Sequence, residues 1–191
     1  MTEKQKRDVG MLYNPNYDKE LGLEIMTCKE KCHRYNLLSP TDFEEKAKYL
    51  DEILGSHGKN TTIFSPFWCD YGYNIEVGEN FFANHNCVIL DGAKVKFGNN
   101  VFIAPDCGFY TAGHPVNISQ RNAGIEYAKP ITVGDNVWIG GGVRVMPGVS
   151  IGSNTVIGAG SVVTRDIPDG VVAMGNPCRV HRKLTEEELS K

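Results

Sequence analysis

The sequence has few of the features that would place it at a membrane, on a nucleic acid or around a histidine-rich metal centre. No apolar run among its 191 residues is long enough to span a bilayer. The opening Met1-Thr2-Glu3-Lys4-Gln5-Lys6-Arg7 has no apolar stretch behind it, so no secretory signal is expected. A net charge of only -3 gives neither the basic surface that nucleic acid requires nor one that holds an anionic membrane. Histidine is sparse, with five in the chain, and between Ile75 and Val163 only His85 and His114 occur. The six cysteines are scattered apart from Cys28 and Cys32. Without an export signal they are expected as free thiols in a reducing, cytoplasmic compartment. The Cys28-x3-Cys32 pair could share a helix face and bind metal. No second pair completes a tetrahedral set, although His33 is adjacent, so buried or idle thiols and no metal are expected.

What is present changes character near residue 60. Upstream, the pattern is helical and charged, and an N-terminal helical cap is expected over residues 1–58. One helical segment runs from about Lys19 to Tyr35. A second is announced by Thr41-Asp42-Phe43-Glu44, a capping-box pattern, with Phe43, Ala47, Leu50 and Leu54 at helical spacing and Gly55 as the stop.

From about Ile75 a six-residue period takes over. Val133, Ile139, Val145, Ile151, Ile157 and Val163 recur at that interval, and Gly134, Gly140, Gly152 and Gly158 follow four of them. Phe97-Gly98 and Ile103-Ala104 share the phase, while Val77, Ala83 and Ile89 keep the step shifted by two residues. Six matches neither an amphipathic helix nor a simple alternating strand. It marks a hexapeptide solenoid, in which each hexad gives a short strand and a turn and three hexads close a triangular coil. The aliphatic residue points inward, and the small residue after it relieves a Cβ clash at the corner. The expected rod covers 59–170, with a C-terminal segment and short helix over 171–191.

One stretch carries no hexad. Residues 109–130 hold Gly113, Pro115, Asn117, Asn122, Gly124 and Pro130, and the period resumes in phase at Ile131. A loop extruded from the rod is expected there, and long loops within compact domains are commonly functional.

Gly10-Met11-Leu12-Tyr13, Cys69-Asp70-Tyr71-Gly72-Tyr73-Asn74-Ile75, Thr111-Ala112-Gly113-His114-Pro115, Asn136-Val137-Trp138-Ile139-Gly140-Gly141 and Gly175-Asn176-Pro177-Cys178-Arg179 carry a resemblance. Over nearly its whole length the chain resembles the hexapeptide-repeat acetyltransferases, nearest the maltose and galactoside O-acetyltransferases. The resemblance implies a left-handed parallel β-helix, a hand that the period alone does not give. It also implies transfer of an acetyl group from acetyl-CoA to a sugar hydroxyl, without a metal, in a homotrimer.

The resemblance makes His114 the general base, a role suited to an imidazole near neutral pH. It makes Asn84 a donor to the oxygen that gains charge, and part of the acceptor site. Gly141 would turn its backbone N–H toward the thioester. Ala159, Thr164 and Arg165 match CoA-contacting positions, Arg179 and Arg182 would meet the CoA phosphates, and Trp138 would wall the pantetheine channel. Asp70 and Glu126 are expected to orient the acceptor. Galactoside enzymes carry Ser and Met there and a carboxylate at the position of Gly92, so a maltose- or glucose-like acceptor is favoured. Two rival readings use the same rod. A γ-type carbonic anhydrase needs three histidines around zinc, more than the rod holds, and an idle assembly subunit would not need the Gly-His-Pro loop.

Overall fold

A computed structural model describes residues 1–190 of the chain. The hexads form a left-handed parallel β-helix behind a helical N-terminal region. Its first coil is β1 (Ser56–His57), β2 (Thr62–Ile63) and β3 (Phe67–Cys69). The second is β4 (Ile75–Val77), β5 (Phe82–Ala83) and β6 (Cys87–Leu90), and the third β7 (Val95–Phe97), β8 (Phe102–Ile103) and β9 (Gly108–Tyr110). A two-stranded hairpin follows, β10 (Ala112–Gly113) and β11 (Tyr127–Ala128). The rod resumes with β12 (Ile131–Val133), β13 (Trp138–Ile139) and β14 (Arg144–Val145), then β15 (Ser150–Ile151), β16 (Val156–Ile157) and β17 (Val162–Val163). A last parallel strand, β18 (Val171–Met174), pairs antiparallel with β19 (Arg179–Lys183).

The three faces are β1-β4-β7-β12-β15, β2-β5-β8-β13-β16-β18 with β19 at the edge, and β3-β6-β9-β14-β17. Register stacks like on like: Ala83, Ile103, Ile139, Ile157 and Ala173 form one inward column. All six aliphatics of the downstream period point inward, none more than 2% exposed. Burying each is worth roughly 1.5–3 kcal/mol, so the columns dominate the stability of the rod.

The corners show the Cβ clash that the small residues were expected to relieve. Gly98, Gly134, Gly140, Gly152 and Gly158 all have ordinary negative φ, and the constraint on them is proximity of the next coil. A Cβ on Gly140 would stand 2.6 Å from the backbone nitrogen of Ala159. The left-handed backbone falls on asparagine instead. Asn60, Asn80, Asn100, Asn136 and Asn154 have φ between 54° and 59°, a conformation this side chain tolerates. Their amides form a ladder up one corner, each Nδ2 donating to the next Oδ1 at 2.8–3.1 Å.

The two-residue phase shift also has a structural cause. The inward positions Cys69 and Val77 stand eight residues apart, as do Ile89 and Phe97, because the corner from third face to first is enlarged in the first two coils. In the third coil the same corner carries the extruded loop. Phe109 is fully buried in β9, paired with Ile89 and Val145, so residues 109–110, expected in the loop, belong to the rod. The excursion adds eighteen residues to one hexad, a multiple of six, and the phase survives it. The coils begin at Ser56, ahead of the expected 59, and β18 lies beyond the expected end at 170.

In front of the rod stand α1 (Glu3–Asp8), α2 (Lys19–Leu37) and α3 (Phe43–Ile53). The expected capping box at Thr41 does not form. Asp42 is the N-cap and accepts from the amide of Glu45. The inward stripe of α3 is Lys46, Leu50 and Ile53, while Phe43 and Ala47 are exposed. Lys46 lies over the Tyr35 ring and donates to Ser65, so its aliphatic stem takes the inward place that the helical spacing gave to Ala47. The α2 helix seals the open first coil. Asn36 both donates to the carbonyl and accepts from the amide of Phe67, and the Tyr35 hydroxyl donates to the carbonyl of Ile63. These side chains satisfy backbone groups that a preceding strand would otherwise pair. Within the loop lies α4 (Ile118–Asn122), and α5 (Glu186–Leu189) is the short C-terminal helix. No helix among the described residues is long and apolar enough to cross a membrane.

Candidate active site

The enlarged corner positions the site. Three successive coils widen at the same edge, and the first two insertions plus the long loop wall a cavity of about 360 Å³. Asp70 and Tyr71 come from the first corner, Leu90 and Gly92 from the second, and His114 and Glu126 from the loop. Tyr13 and Lys29 close it from the helical region. Gly92 keeps it open: a Cβ there would stand 3.3 Å from the Tyr13 hydroxyl.

His114 follows β10 directly and is exposed to the cavity. Its Nδ1 lies 2.9 Å from the carbonyl oxygen of Ile125 across the hairpin. A carbonyl can only accept, so Nδ1 carries the hydrogen and Nε2 presents its lone pair. That tautomer is the one a base needs. Glu126 is held by backbone bonds in both directions with Tyr13 and accepts from the Tyr13 hydroxyl at 2.9 Å. Burial, then the Glu126 charge, pushes the Tyr13 phenol far up, so it remains a donor. Asp70 faces Lys29 Nζ at 3.4 Å, and burial raises its carboxyl against the pull of that ammonium.

Tyr13 entered the sequence reading only within a stretch carrying the resemblance, with no site role, and Lys29 and Asp91 were not singled out. Tyr13 and Lys29 gave no periodic signal, and Asp91 could have been found as the carboxylate in the second widened corner. Asp91 is fully buried, and its Oδ1 accepts from the amides of Asp70 at 3.0 Å and Tyr71 at 2.8 Å. It thereby fixes the corner that carries Asp70. Its Oδ2 has no protein partner. Burial pushes its carboxyl from 3.8 up to about 6. The folded chain therefore holds a proton that the unfolded chain releases between those values, and stability falls as pH rises across that window. Asp91→Asn keeps the acceptor for both amides. It is expected to remove about 2–3 kcal/mol of that pH dependence, the free-energy equivalent of the rise in the carboxyl. Urea unfolding at intervals from pH 4 to 7 measures it, and parallel curves for the two proteins would show that Asp91 does not titrate there.

Other expected site residues lie on a different edge of the same chain. Asn84 follows β5, Gly141 follows β13 and Ala159 follows β16, all at the corner from second face to third. The Asn84 Oδ1 accepts from the His85 amide at 2.8 Å, which leaves its Nδ2 as a donor. Among the described residues the amides of Gly141 and Ala159 make no hydrogen bond within the chain, whereas those of Gly140, Gly142, Gly158 and Gly160 do. The corner thus presents a row of free N–H donors. Thr164 and Arg165 follow β17, at the edge that carries His114 two coils earlier. Trp138 is 57% exposed on the second face, in line with Phe82, Phe102, Val156 and Val172. On β19, a register shift opposite Val172 and Ala173 sets Arg179 against Met174 and Arg182 against Val172, so both arginines project outward. The Arg182 guanidinium, expected to meet the CoA phosphates, is forked onto Glu188, with both contacts at 2.7 Å.

Comparison with known proteins gives the family. The family profile described as the maltose acetyltransferase hexapeptide capping motif matches residues 9–58, and that of the bacterial transferase hexapeptide (six repeats) matches 130–165. A maltose O-acetyltransferase from Clostridium difficile 630 is 50% identical, with 97% of this chain and 99% of that one covered and a TM-score of 0.95. The chain belongs to the hexapeptide-repeat acetyltransferases of the maltose and galactoside type. A galactoside acetyltransferase solved in complex with coenzyme A superposes with TM-score 0.95 at 39% identity, covering 100% of this chain and 95% of that one. A Saccharomyces cerevisiae protein bearing an acetyltransferase name is 59% identical over 179 residues, 94% of this chain and 91% of its own. As a member of this family the chain is an acetyl-CoA-dependent O-acetyltransferase. The carbonic anhydrase and idle-rod readings are set aside by that membership.

Proposed function

We propose that this acetyltransferase moves the acetyl group of acetyl-CoA directly to a hydroxyl of a maltose- or glucose-like sugar, with His114 as general base. The observation that carries the reading is the tautomer of His114, fixed by Ile125 and aimed into a cavity with two carboxylates. Nε2 accepts the hydroxyl proton as the oxygen attacks the thioester carbonyl. The Asn84 amide and the Gly141 N–H donate to the oxygen that becomes negative. Collapse of the tetrahedral intermediate expels the CoA thiolate, and the imidazolium returns the proton to that sulfur. Asp70 and Glu126 accept from sugar hydroxyls beside the reacting one, and Lys29 donates. The 50% identity to a maltose enzyme, against 39% to a galactoside enzyme, supports the acceptor class.

The catalytic unit in this reading is a homotrimer, acting in the cytoplasm. His114 and Asn84 sit on different corners of one rod, so one copy supplies each to a shared cleft. The outward apolar column through Phe102 and Trp138 supports contact between copies. The CoA chain then runs along the free amides of Gly141 and Ala159 past Trp138, with Thr164, Arg165, Arg179 and Arg182 toward its polar end. Reaching a phosphate requires Arg182 to leave Glu188.

The test is thiol release from acetyl-CoA over a panel of acceptors. Maltose and glucose are expected to exceed galactosides in kcat/KM. A preference for galactosides, or release that no sugar stimulates, would overturn the acceptor assignment.

A further inference from the structure

We infer that Cys28, Cys32 and Cys69 form a three-sulfur site for one soft metal ion, selecting Cu(I), directly behind the acceptor pocket. Sequence spacing showed only the first two, and the fold adds the third. Cys28 and Cys32 lie one turn apart on the face of α2 that meets the rod, and Cys69 ends β3. The Cys69 sulfur is 3.4 Å from that of Cys28 and 3.6 Å from that of Cys32, and all three lie within 4.8 Å of one another. Thiolates sharing an ion at about 2.3 Å stand roughly 3.8–4.0 Å apart, so shifts of a few tenths of an ångström complete the set. Two packed elements hold the sulfurs, and all three residues are buried.

The donor set decides the ion. No imidazole or carboxylate joins the three sulfurs within that distance among the described residues. Zn(II) seeks a fourth ligand, whereas a d10 monovalent ion is content with two or three soft sulfurs. Cu(I) entering forms Cu–S bonds while the S–H protons of the coordinating thiols leave to solvent, and no electron is transferred.

The site bears on the pocket through its neighbours in sequence. Lys29 follows Cys28 and Asp70 follows Cys69, and these two face each other across the cavity wall. A bound ion ties α2 to β3 behind that pair.

The experiment titrates the reduced, metal-free full-length protein with Cu(I) under anaerobic conditions against a coloured Cu(I) chelator. Wild type is expected to withhold one equivalent, Cys69→Ser none, and Cys178→Ser, distant from the trio, one. Equal retention by wild type and Cys69→Ser, or none by wild type, would overturn the site. X-ray absorption of the copper-loaded wild type needs no variant: three sulfur neighbours support the assignment, and fewer sulfurs, or nitrogen or oxygen neighbours, refute it. Displacement of the bound Cu(I) by equimolar Zn(II) would refute the selectivity.

Discussion

His114→Ala is expected to lower kcat by roughly 10²–10⁴-fold, the usual worth of a positioned general base, while acetyl-CoA still binds. The expectation rests on one hydrogen bond. The Ile125 carbonyl holds the Nδ1 hydrogen, so the lone pair of Nε2 has a fixed direction into the cavity. Removing the ring leaves the acceptor hydroxyl without a proton acceptor of similar basicity at that point. Glu126 is already engaged with the Tyr13 hydroxyl, and Asp70 with Lys29. Direct transfer requires both substrates together, so initial rates should follow a sequential pattern. The covalent alternative would need a thiol. Cys87 and Cys107 are buried in the coil interior and burial raises both thiols, so neither presents a ready nucleophile. Cys87→Ser and Cys107→Ser should each retain activity within a few-fold. A near-normal kcat for His114→Ala, or an acetylated cysteine detected by mass spectrometry, would rule out the imidazole as base.

The rod was legible because its physics is repetitive. One aliphatic residue per hexad has to face inward, and the inward columns through Ile139 and Val145 reproduce that phase. The small residue after the aliphatic one was legible for the same reason, since a Cβ on Gly140 would meet the next coil, whereas the period did not show that Asn136 bears the left-handed backbone. The helices were harder. An N-cap at Asp42 and at Thr41 are both compatible with the sequence, and only packing against Tyr35 and Ser65 turns Lys46 inward. At the site, His114 stood out because its loop broke a period. Asp91 did not, because its role is to hold two amides twenty residues away. Cys69 joined Cys28 and Cys32 only through the docking of α2 on the first coil, a long-range contact that spacing does not encode.

Two inactive variants should restore activity to each other. Asn84→Ala removes the amide donor, and loss of one such donor costs about 10²–10³ in kcat. Asn84 belongs to the corner from second face to third and His114 to the corner from third face to first, so a single rod does not bring them to one cleft. In a cyclic assembly each cleft takes one corner from each of two neighbours. A trimer mixed from Asn84→Ala and His114→Ala copies then contains some clefts that combine an intact Asn84 with an intact His114. Random mixing of equal amounts makes that combination at about one cleft in four in a head-to-tail ring. Unfolding and refolding the two variants together should therefore recover about a quarter of wild-type kcat per cleft, while each refolded alone stays low. The mixture must be compared with the same two proteins combined without unfolding. Recovery in the co-refolded sample alone is the expected result. No recovery, with trimers confirmed by light scattering, would mean that both residues act from one copy and that the cleft between copies has been misassigned.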